Sequence, residues 1–575
     1  MRGVFSCVTG AVAKGSLAAV LALLMSACFG SGSGDNDAEA PSTPVTPPTA
    51  VGDVMTSAEA ARFLSQATFG PGEDDIDELV AMGVSAWFQA EFSKPQESIL
   101  QDVLISERSG EETGPGALSE AFWSRAILSD DQLRQRMGFA LSQIFVASFS
   151  DSGLAERPVA MANYMDIMSA GGLGNYRQTL ENVTYSPAMA IFLTYLQNQK
   201  ADEEREVVPD ENYAREVMQL FTIGLLELQP NGDLRLDGGG DPIETYDNVD
   251  VTELAKVFTG LSWAESDNFF SRGETVGAEY LPLVMFDEQH SAEPKSFLGT
   301  NIPANTPGEQ SIAMALDALY NHANTPAFIS RQLIQRLVTS NPSSAYVGRV
   351  ANAFRSGSFA LPDGSVAGNG VRGDMRAVAA AILLDPEARD TTRVNDPAFG
   401  KIREPVLRFT HWARAFGVED TRTEDAEVLR NTARPSTLNQ QAYRSPSVFN
   451  FYRPGFVAPG TVSADQGLVA PELQITTGSS ITGYANFMES FIFRDSESVN
   501  YVADYTEELA LANDPAALVD HLDAILTYGS LRGESRSRII AAIEAAGGAG
   551  EEQRQRRVGL AILMMMNSPD YITQR

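Results

Sequence analysis

A few charged side chains in this sequence have types and spacing that could do chemistry. Glu211 and Glu216 lie in the stretch 207–224, and His290 follows in a later irregular segment. Together with Asp210 they could ligate a hard or borderline metal ion, and Glu216 with His290 could act as an acid–base pair. Glu211, Glu216 and His290 are therefore the candidate catalytic residues.

Nothing in their spacing requires catalysis, however. The sequence has no H-x-x-x-H or H-E-x-x-H pair, no cysteine cluster and no phosphate loop, and it contains four histidines in all. Such pairs and clusters are the usual signs of zinc or iron centres, so no metal site is predicted and no cofactor is indicated. A hydrolase nucleophile elbow is not supported either, because the sequence has no G-x-S-x-G motif and the Gly-Ser-Gly-Ser-Gly run at 30–34 belongs to the tether.

The stretch 209–223 is predicted to be the helix that positions the two glutamates. Pro209 suits its first position, and Gly224 suits a left-handed residue just beyond its end. A wide apolar face indicates that this helix is buried, so its polar side chains must find partners inside the protein. We call these side chains the polar stripe: Asn212, Arg215, Glu216 and Gln219.

A buried ion-pair network is the structural alternative to a catalytic site. Arg215 is expected to pair with Glu216 or with a carboxylate from another segment, since a buried charge is tolerated only when it is paired. Losing one member of such a network lowers the free energy of unfolding by roughly 3–5 kcal/mol. A strict motif can therefore be explained by stability alone, without catalysis. The other expected members lie in apolar, arginine-containing segments and are Arg134, Arg136, Arg331, Arg403 and Glu404.

Composition places limits on the partners. The chain has 575 residues and a formal charge of −33, which argues against a nucleic-acid-binding surface and against attraction to anionic lipid. Of the 42 basic residues 36 are arginine, the residue that favours fixed, partly buried pairs. We therefore expect an acidic, solvated surface with many arginines directed inward.

Residues 1–27 are expected to be a bacterial lipoprotein signal peptide. The apolar segment Leu17–Met25 is too short to span a bilayer, and it runs into Leu-Met-Ser-Ala-Cys28, which resembles a lipobox. Cys28 is therefore the expected lipidation site and membrane anchor, with an ordinary secretory signal as the alternative. Phe29 at the next position, rather than aspartate, favours the outer membrane.

The remainder divides into a flexible Gly/Ser/Pro tether at 28–55 and a helical domain of one or two lobes at 56–575. Apolar periodicity near 3.6 predicts a mostly α-helical, multi-helical globular domain with long irregular loops and one short β-hairpin at 226–236. The predicted helical segments are 58–67, 74–82, 85–92, 118–128, 131–149, 164–169, 176–183, 188–197, 250–261, 311–322, 326–339, 374–384, 404–416, several within 502–546, and 551–567.

Motifs along the chain also carry a family resemblance. The main one is Asp210-Glu-Asn-Tyr-Ala-Arg-Glu216 followed by Leu220-Phe-Thr-Ile-Gly224, and the others are Gln132–Arg136, Ala140–Phe145, Ser186–Met189, Val257–Gly260, Phe297–Gly299, Lys401–Pro405 and Ser445–Tyr452. Together they resemble the signature of the bacterial domain-of-unknown-function 1800 family. Two positions depart from it: Gln219 replaces a second acid, and Ser291 replaces the aspartate expected after His290. The second departure weakens a catalytic or metal role for that loop.

The resemblance implies a large exported, mostly helical protein without an assigned activity, often encoded beside a sulfatase/alkaline-phosphatase-like partner. Two hypotheses follow. The first is an envelope lipoprotein that binds or assembles a surface polymer or an exported protein. The second is an envelope hydrolase or metal-assisted enzyme that uses the polar stripe of the 209–223 helix. An open cleft holding Glu211, Glu216 and His290 would favour the enzyme, and a sealed interior around Arg215 and Glu216 would favour the binding protein.

Overall fold

The computed structural model describes residues 52–109, 113–420, 428–493 and 501–575. The predicted signal peptide, Cys28 and nearly all of the predicted tether lie outside these ranges. Helices dominate, and α1 to α26 in chain order are Ser57–Ala67, Glu73–Met82, Val84–Ser93, Ile99–Ser109, Pro115–Leu128, Gln132–Ser142, Ser152–Ala155, Pro158–Gly172, Tyr176–Thr184, Pro187–Phe192, Asn212–Gln219, Asn248–Ala255, Val276–Tyr280, Gly308–Asn321, Thr325–Leu337, Ser344–Ser356, Met375–Leu383, Pro386–Arg389, Pro405–Ala415, Val462–Asp465, Gly478–Ile492, Thr506–Leu511, Pro515–Leu526, Gly533–Ala545, Glu551–Met566 and Pro569–Ile572.

The strands of the described ranges are two or three residues long and form antiparallel pairs, which confirms the mostly α-helical prediction. None of the helices in these ranges combines the length and apolar character needed to cross a membrane. The pairs are β1 (Leu261–Ser262) with β2 (Val284–Met285), β3 (Lys295–Phe297) with β4 (Thr300–Ile302), β5 (Phe359–Ala360) with β6 (Val366–Ala367), β7 (Lys401–Ile402) with β10 (Thr573–Gln574), and β8 (Glu419–Asp420) with β9 (Tyr501–Val502).

The hairpin predicted at 226–236 forms two sides of a larger, three-sided structure. The Glu227 amide donates to the Ile243 carbonyl at 2.8 Å, the Ile243 amide to the Arg235 carbonyl at 3.1 Å, and the Arg235 amide to the Glu227 carbonyl at 2.8 Å. These three bonds close a ring, so we call the segment 225–245 the triangular ribbon. The ribbon begins directly after the segment that follows α11, and several of its acidic side chains are exposed at the surface.

Helices α6 and α8 cross inside the core at a pair of glycines. A Cβ on Gly138 would lie 2.7 Å from the Ser169 Cα atom, and a Cβ on Gly172 would lie 2.7 Å from the Arg134 carbonyl oxygen. The two backbones therefore touch, and only glycine fits at the crossing. Phe145, just beyond α6, packs against Phe221 with ring centroids 5.1 Å apart. That contact ties the crossing to the segment after α11.

The two ends of the described chain meet near β7. Strand β10 pairs with β7, and the fully buried Gln574 donates from Nε2 to the Leu337 carbonyl at 2.7 Å. Arg62, on the first helix, donates from Nε to the Arg575 oxygen at 2.7 Å. Segments from opposite ends of the sequence thus close one part of the core.

The helix predicted at 209–223 is shorter in the structure, where α11 covers only 212–219. Pro209 lies before it, and the Asp210 side chain accepts the Asn212 amide at 2.8 Å, so an aspartate rather than the proline organises the start. Gly224 has a φ of 72°, which confirms the predicted left-handed position.

Candidate functional site

The polar stripe of α11 has two residues that point inward. Glu216 is buried, and its Oε2 atom has no hydrogen-bond partner among the described residues. Burial raises the pKa of Glu216 to about 7, although the positive charge of Arg215 partly opposes the rise. Gln219 is also buried and accepts a hydrogen bond from the Tyr246 hydroxyl at 3.4 Å. Glu216 therefore combines a near-neutral pKa with an oxygen free to take a proton.

The other two stripe residues face solvent. Arg215 is about two-fifths exposed and forms an ion pair with Glu211, one helical turn before it, at 3.3 Å. Glu211 also accepts the Thr252 hydroxyl at 2.9 Å, and Asn212 is exposed. The expectation that Arg215 pairs inside the protein is wrong, because Arg215 lies on the outer side of α11 with Glu211 and Asn212, whereas Tyr213 and Ala214 of the same turn are buried.

His290 lies in a different cluster from these glutamates. Its Nδ1 atom is 2.9 Å from the Thr259 carbonyl oxygen, which can only accept, so Nδ1 carries the proton. The Nε2 atom is left as an acceptor, 3.2 Å from Lys295 Nζ and 3.3 Å from Ser311 Oγ. Burial lowers the pKa of His290, which keeps the ring neutral. Within the described residues, no hydrogen bond or ion pair links His290 to the stripe.

Lys295 makes this second cluster unusual. It is buried and donates from Nζ to the Ser291 carbonyl at 2.7 Å, and burial lowers its pKa to about 8. Ser291 also lines an open cleft of about 310 Å³, together with Lys200, Ala201, Ala292 and Glu293. Ser291 has an uncharged side chain, so no acid at that position compensates Lys295.

A third group of charges is enclosed in the core around Glu404. Its Oε2 atom accepts hydrogen bonds from the side-chain amides of Gln143 and Gln440, each at 2.7 Å. Lys401 Nζ lies 3.5 Å from Glu404 Oε1 and 3.1 Å from Glu472 Oε1. Burial by itself would raise the pKa of Glu404, but the charges of Lys401 and of nearby Arg136 lower it below its usual value.

Arg136 extends this group. It is fully buried and donates from Nη2 to the Arg336 carbonyl at 2.6 Å, an oxygen that also accepts from Lys401 Nζ at 2.9 Å. Arg336 in turn donates to the Gln143 carbonyl at 2.9 Å. We define the buried charge cluster as Arg136, Arg336, Lys401, Glu404 and Glu472. It joins three of the signature motifs, 132–136, 140–145 and 401–405.

The remaining arginines of the predicted network lie at separate places. Each contacts a different partner, such as a loop carbonyl or an aromatic ring, and they do not share one common carboxylate. Their contacts are Arg134 with Asp131 at 3.3 Å, Arg331 with the Gly232 carbonyl at 3.4 Å, and Arg403 with His411 Nδ1 at 3.2 Å and over the Tyr571 ring at 4.3 Å.

Sequence reasoning did not anticipate Arg336, Glu472 or Lys295 as members of these clusters. Arg336, like Arg331, is an arginine inside an apolar helix, so the same sequence pattern could have identified both residues. Glu472 lies in a short 3₁₀ segment, Pro471–Ile475, whose sequence has no periodicity to indicate burial. Lys295 stands alone in a segment that the sequence indicates to be irregular, and only the fold places it, at the start of β3, beside His290.

A family model described as "Protein of unknown function (DUF1800)" matches residues 62–573. The chain belongs to this family. Comparisons of this DUF1800 protein with curated proteins and with solved structures gave no match. In it the signature residues follow two patterns: Arg136, Lys401 and Glu404 are enclosed in the core, whereas Glu211 and Arg215 stand at the surface.

Proposed function

We propose that this protein is an outer-membrane lipoprotein, anchored through Cys28, that binds or assembles an exported protein partner or a surface polymer. The observation that carries the proposal is the enclosure of the signature charges. Glu404 and Lys401 have no exposed side-chain surface, and their hydrogen bonds lead to other core groups. Such residues stabilise a scaffold, because substrate cannot reach them. The surface that binds the partner must therefore be formed by other residues.

The triangular ribbon supplies a surface of suitable character. Its exposed acids stand beside two exposed apolar side chains, Leu236 and Val249. That mixture fits a partner segment with basic and apolar side chains, attracted by charge and held by the apolar contacts. A sulfatase/alkaline-phosphatase-like exported protein is the partner that the family resemblance suggests. The exposed acids of the ribbon are Asp233, Asp237, Asp241 and Glu244, and the exposed Asp247 follows it in the chain.

Cell fractionation and affinity capture test the anchor and the partner separately. Cys28→Ser should move the protein from the membrane fraction to the soluble envelope fraction. Retention of this variant in membranes without detergent would refute the anchor. For the partner, the double variant Asp241→Asn/Glu244→Gln should lose a protein that co-purifies with the wild type from detergent-solubilised envelopes.

The matched control is Glu544→Gln/Glu552→Gln, which neutralises two exposed acids on the C-terminal helices α24 and α25. This control should still capture the partner, because we expect binding to depend on the position of the acids in the ribbon and not on the net charge of the protein. Equal capture by both double variants would show that the ribbon is not the docking surface.

Glu216 supports the alternative, an envelope hydrolase that uses the stripe of the 209–223 segment. A carboxyl with a pKa of about 7 and an unpartnered oxygen is suited to general acid–base catalysis at neutral pH. In a strain lacking the gene, Glu216→Gln should then fold normally yet fail to complement. Full complementation would exclude this role, and failure of the ribbon variant alone would favour the binding function.

A further inference from the structure

A histidine-centred cluster lies where α2, α22 and α23 meet, and none of its residues belongs to a motif discussed above. His521 on α23 has Nδ1 3.4 Å from Glu73 Oε1, and Glu73 is the first residue of α2. Glu507 on α22 completes the group, since ligand atoms of Glu73, Glu507 and His521 all lie within 4.8 Å of one another. One imidazole nitrogen and two carboxylates from three helices thus converge on one point.

A fourth residue orients the imidazole. Glu508 is almost completely buried, and its Oε1 lies 2.9 Å from His521 Nε2. A carboxylate only accepts, so Nε2 carries a proton and the lone pair of Nδ1 faces Glu73 and Glu507 in the neutral ring. A buried carboxylate that fixes the far nitrogen of a histidine is the usual outer shell of a metal-binding imidazole.

Three carboxylates surround one imidazole, so the cluster has excess negative charge even when His521 is protonated. In the described part of the chain, neither lysine nor arginine forms an ion pair with Glu73, Glu507 or Glu508. By contrast, the buried Asp385 is held by Arg349, and the buried Glu91 by Lys94. Three carboxylates gathered around one imidazole favour the addition of a cation.

We propose that Glu73, Glu507 and His521 bind a divalent transition-metal ion of the Zn²⁺ class, with Glu508 as the residue that positions His521. Tetrahedral zinc bonds of about 2.0–2.2 Å place neighbouring ligand atoms roughly 3.3–3.6 Å apart. The His521–Glu73 separation of 3.4 Å already matches that spacing. The imidazole ligand disfavours Ca²⁺ and Mg²⁺, which prefer oxygen ligands only. The ion would join the N-terminal helix α2 to the C-terminal helices.

Calorimetric titration of the chelator-treated, detergent-solubilised protein with Zn²⁺ tests this site. One ion per chain should bind and should raise the melting temperature, whereas Ca²⁺ and Mg²⁺ at the same concentration should not. His521→Gln and Glu507→Gln should each weaken binding more than tenfold, and Glu508→Gln should weaken it by roughly 10- to 100-fold because it removes the carboxylate that orients His521. Bound Co²⁺ should show the visible absorption of a tetrahedral centre.

His322→Gln is the matched control, since it removes a histidine that has no contact with the cluster. It should bind Zn²⁺ like the wild type. Failure of the wild type to bind, or equal binding by the wild type and His521→Gln, would overturn the proposal and leave His521 as a protonated partner of the glutamates.

Discussion

Individual carboxylates of this protein differ more in their surroundings than in their chemistry. Glu404 is enclosed yet supplied with amide donors and a lysine, so its charge is stabilised. Glu216 is nearly as buried, but no described residue donates a hydrogen bond to its Oε2 atom, so its charge is destabilised. Glu211 is exposed and pairs with Arg215 across one helical turn. The same residue type thus serves as a structural anchor, a protonatable group and a surface charge.

Glu216 should make stability depend on pH. Its folded-state pKa of about 7 lies above its ordinary value of 4.5, so the unfolded state loses this proton first as pH rises. The free energy of unfolding should therefore fall between pH 4.5 and 7, with a contribution of about 3 kcal/mol in total. Glu216→Gln should remove this dependence and be the more stable protein at pH 8.

Urea unfolding of both proteins at several pH values between 4 and 8 measures the effect. Glu211→Gln serves as the control, because an exposed i,i+4 pair contributes only about 0.3–0.5 kcal/mol. A Glu216→Gln variant less stable than the wild type at pH 8 would mean that the charged form has partners in solution.

Glu404 and Arg215 should respond very differently to substitution. Glu404→Gln leaves Lys401 and Arg136 buried without their main carboxylate and should lower the free energy of unfolding by about 3–5 kcal/mol. Arg215→Ala removes one half-exposed pair and should cost less than about 1 kcal/mol. Denaturant melts of the two variants give the comparison, and similar losses would contradict the assignment of the core and surface roles.

The sequence allowed part of this residue-scale result to be predicted. Arg136 and Glu404 were expected in a network because they are charged residues in apolar segments, and the structure places both in the buried charge cluster. Arg215 was assigned to the same network by the periodicity of 209–223, but periodicity cannot tell which turn of a helix reaches the surface. The partners Arg336 and Glu472 come from segments that only the tertiary fold brings together.

At the scale of elements, the packing of α6 against α8 is set by direct backbone contact between the two helices rather than by the periodicity of their side chains. The crossing of α6 and α8 depends on Gly138, where a Cβ would meet the Ser169 backbone. Gly138→Ala should therefore destabilise the protein by about 1–3 kcal/mol, even though alanine favours a helix by about 1 kcal/mol. Thermal unfolding measures the change.

Gly533→Ala is the control for that experiment, because a Cβ there meets nothing within 4 Å. It should be neutral to within about 0.5 kcal/mol or slightly stabilising. A stabilised Gly138→Ala variant would mean that the two helices can move apart at little cost.

Many helices could be predicted to within a few residues, but α4, α16 and α21 had no predicted segment, and the ends of several others were misplaced. The apolar pattern of 131–149 predicts one helix, yet α6 ends at Ser142. Beyond that point the chain leaves the helix but stays buried, and the Phe149 amide donates to the Tyr443 carbonyl at 3.0 Å. A continuous apolar run shows that a segment is buried but not whether its backbone bonds are local, so the end of this helix lay beyond sequence reasoning.

For the whole molecule, the formal charge of −33 predicts a dependence on salt. Repulsion among surface acids destabilises the folded state, and the Debye length shortens from about 30 Å at 0.01 M salt to about 8 Å at 0.15 M. The melting temperature should therefore rise as KCl increases over this range. Calorimetry with a chelator present separates this effect from metal binding, and a falling melting temperature would show that attractive pairs outweigh repulsion.

The pairing of β10 with β7 also has a consequence for the proposed export of the protein across a membrane. The motif 401–405 and the first helix both find partners in residues 574 and 575. In the proposed lipoprotein, a chain that crosses a membrane with its N-terminus leading would therefore hold these segments unpaired until residues 573–575 had crossed. This part of the core would then be completed late in translocation.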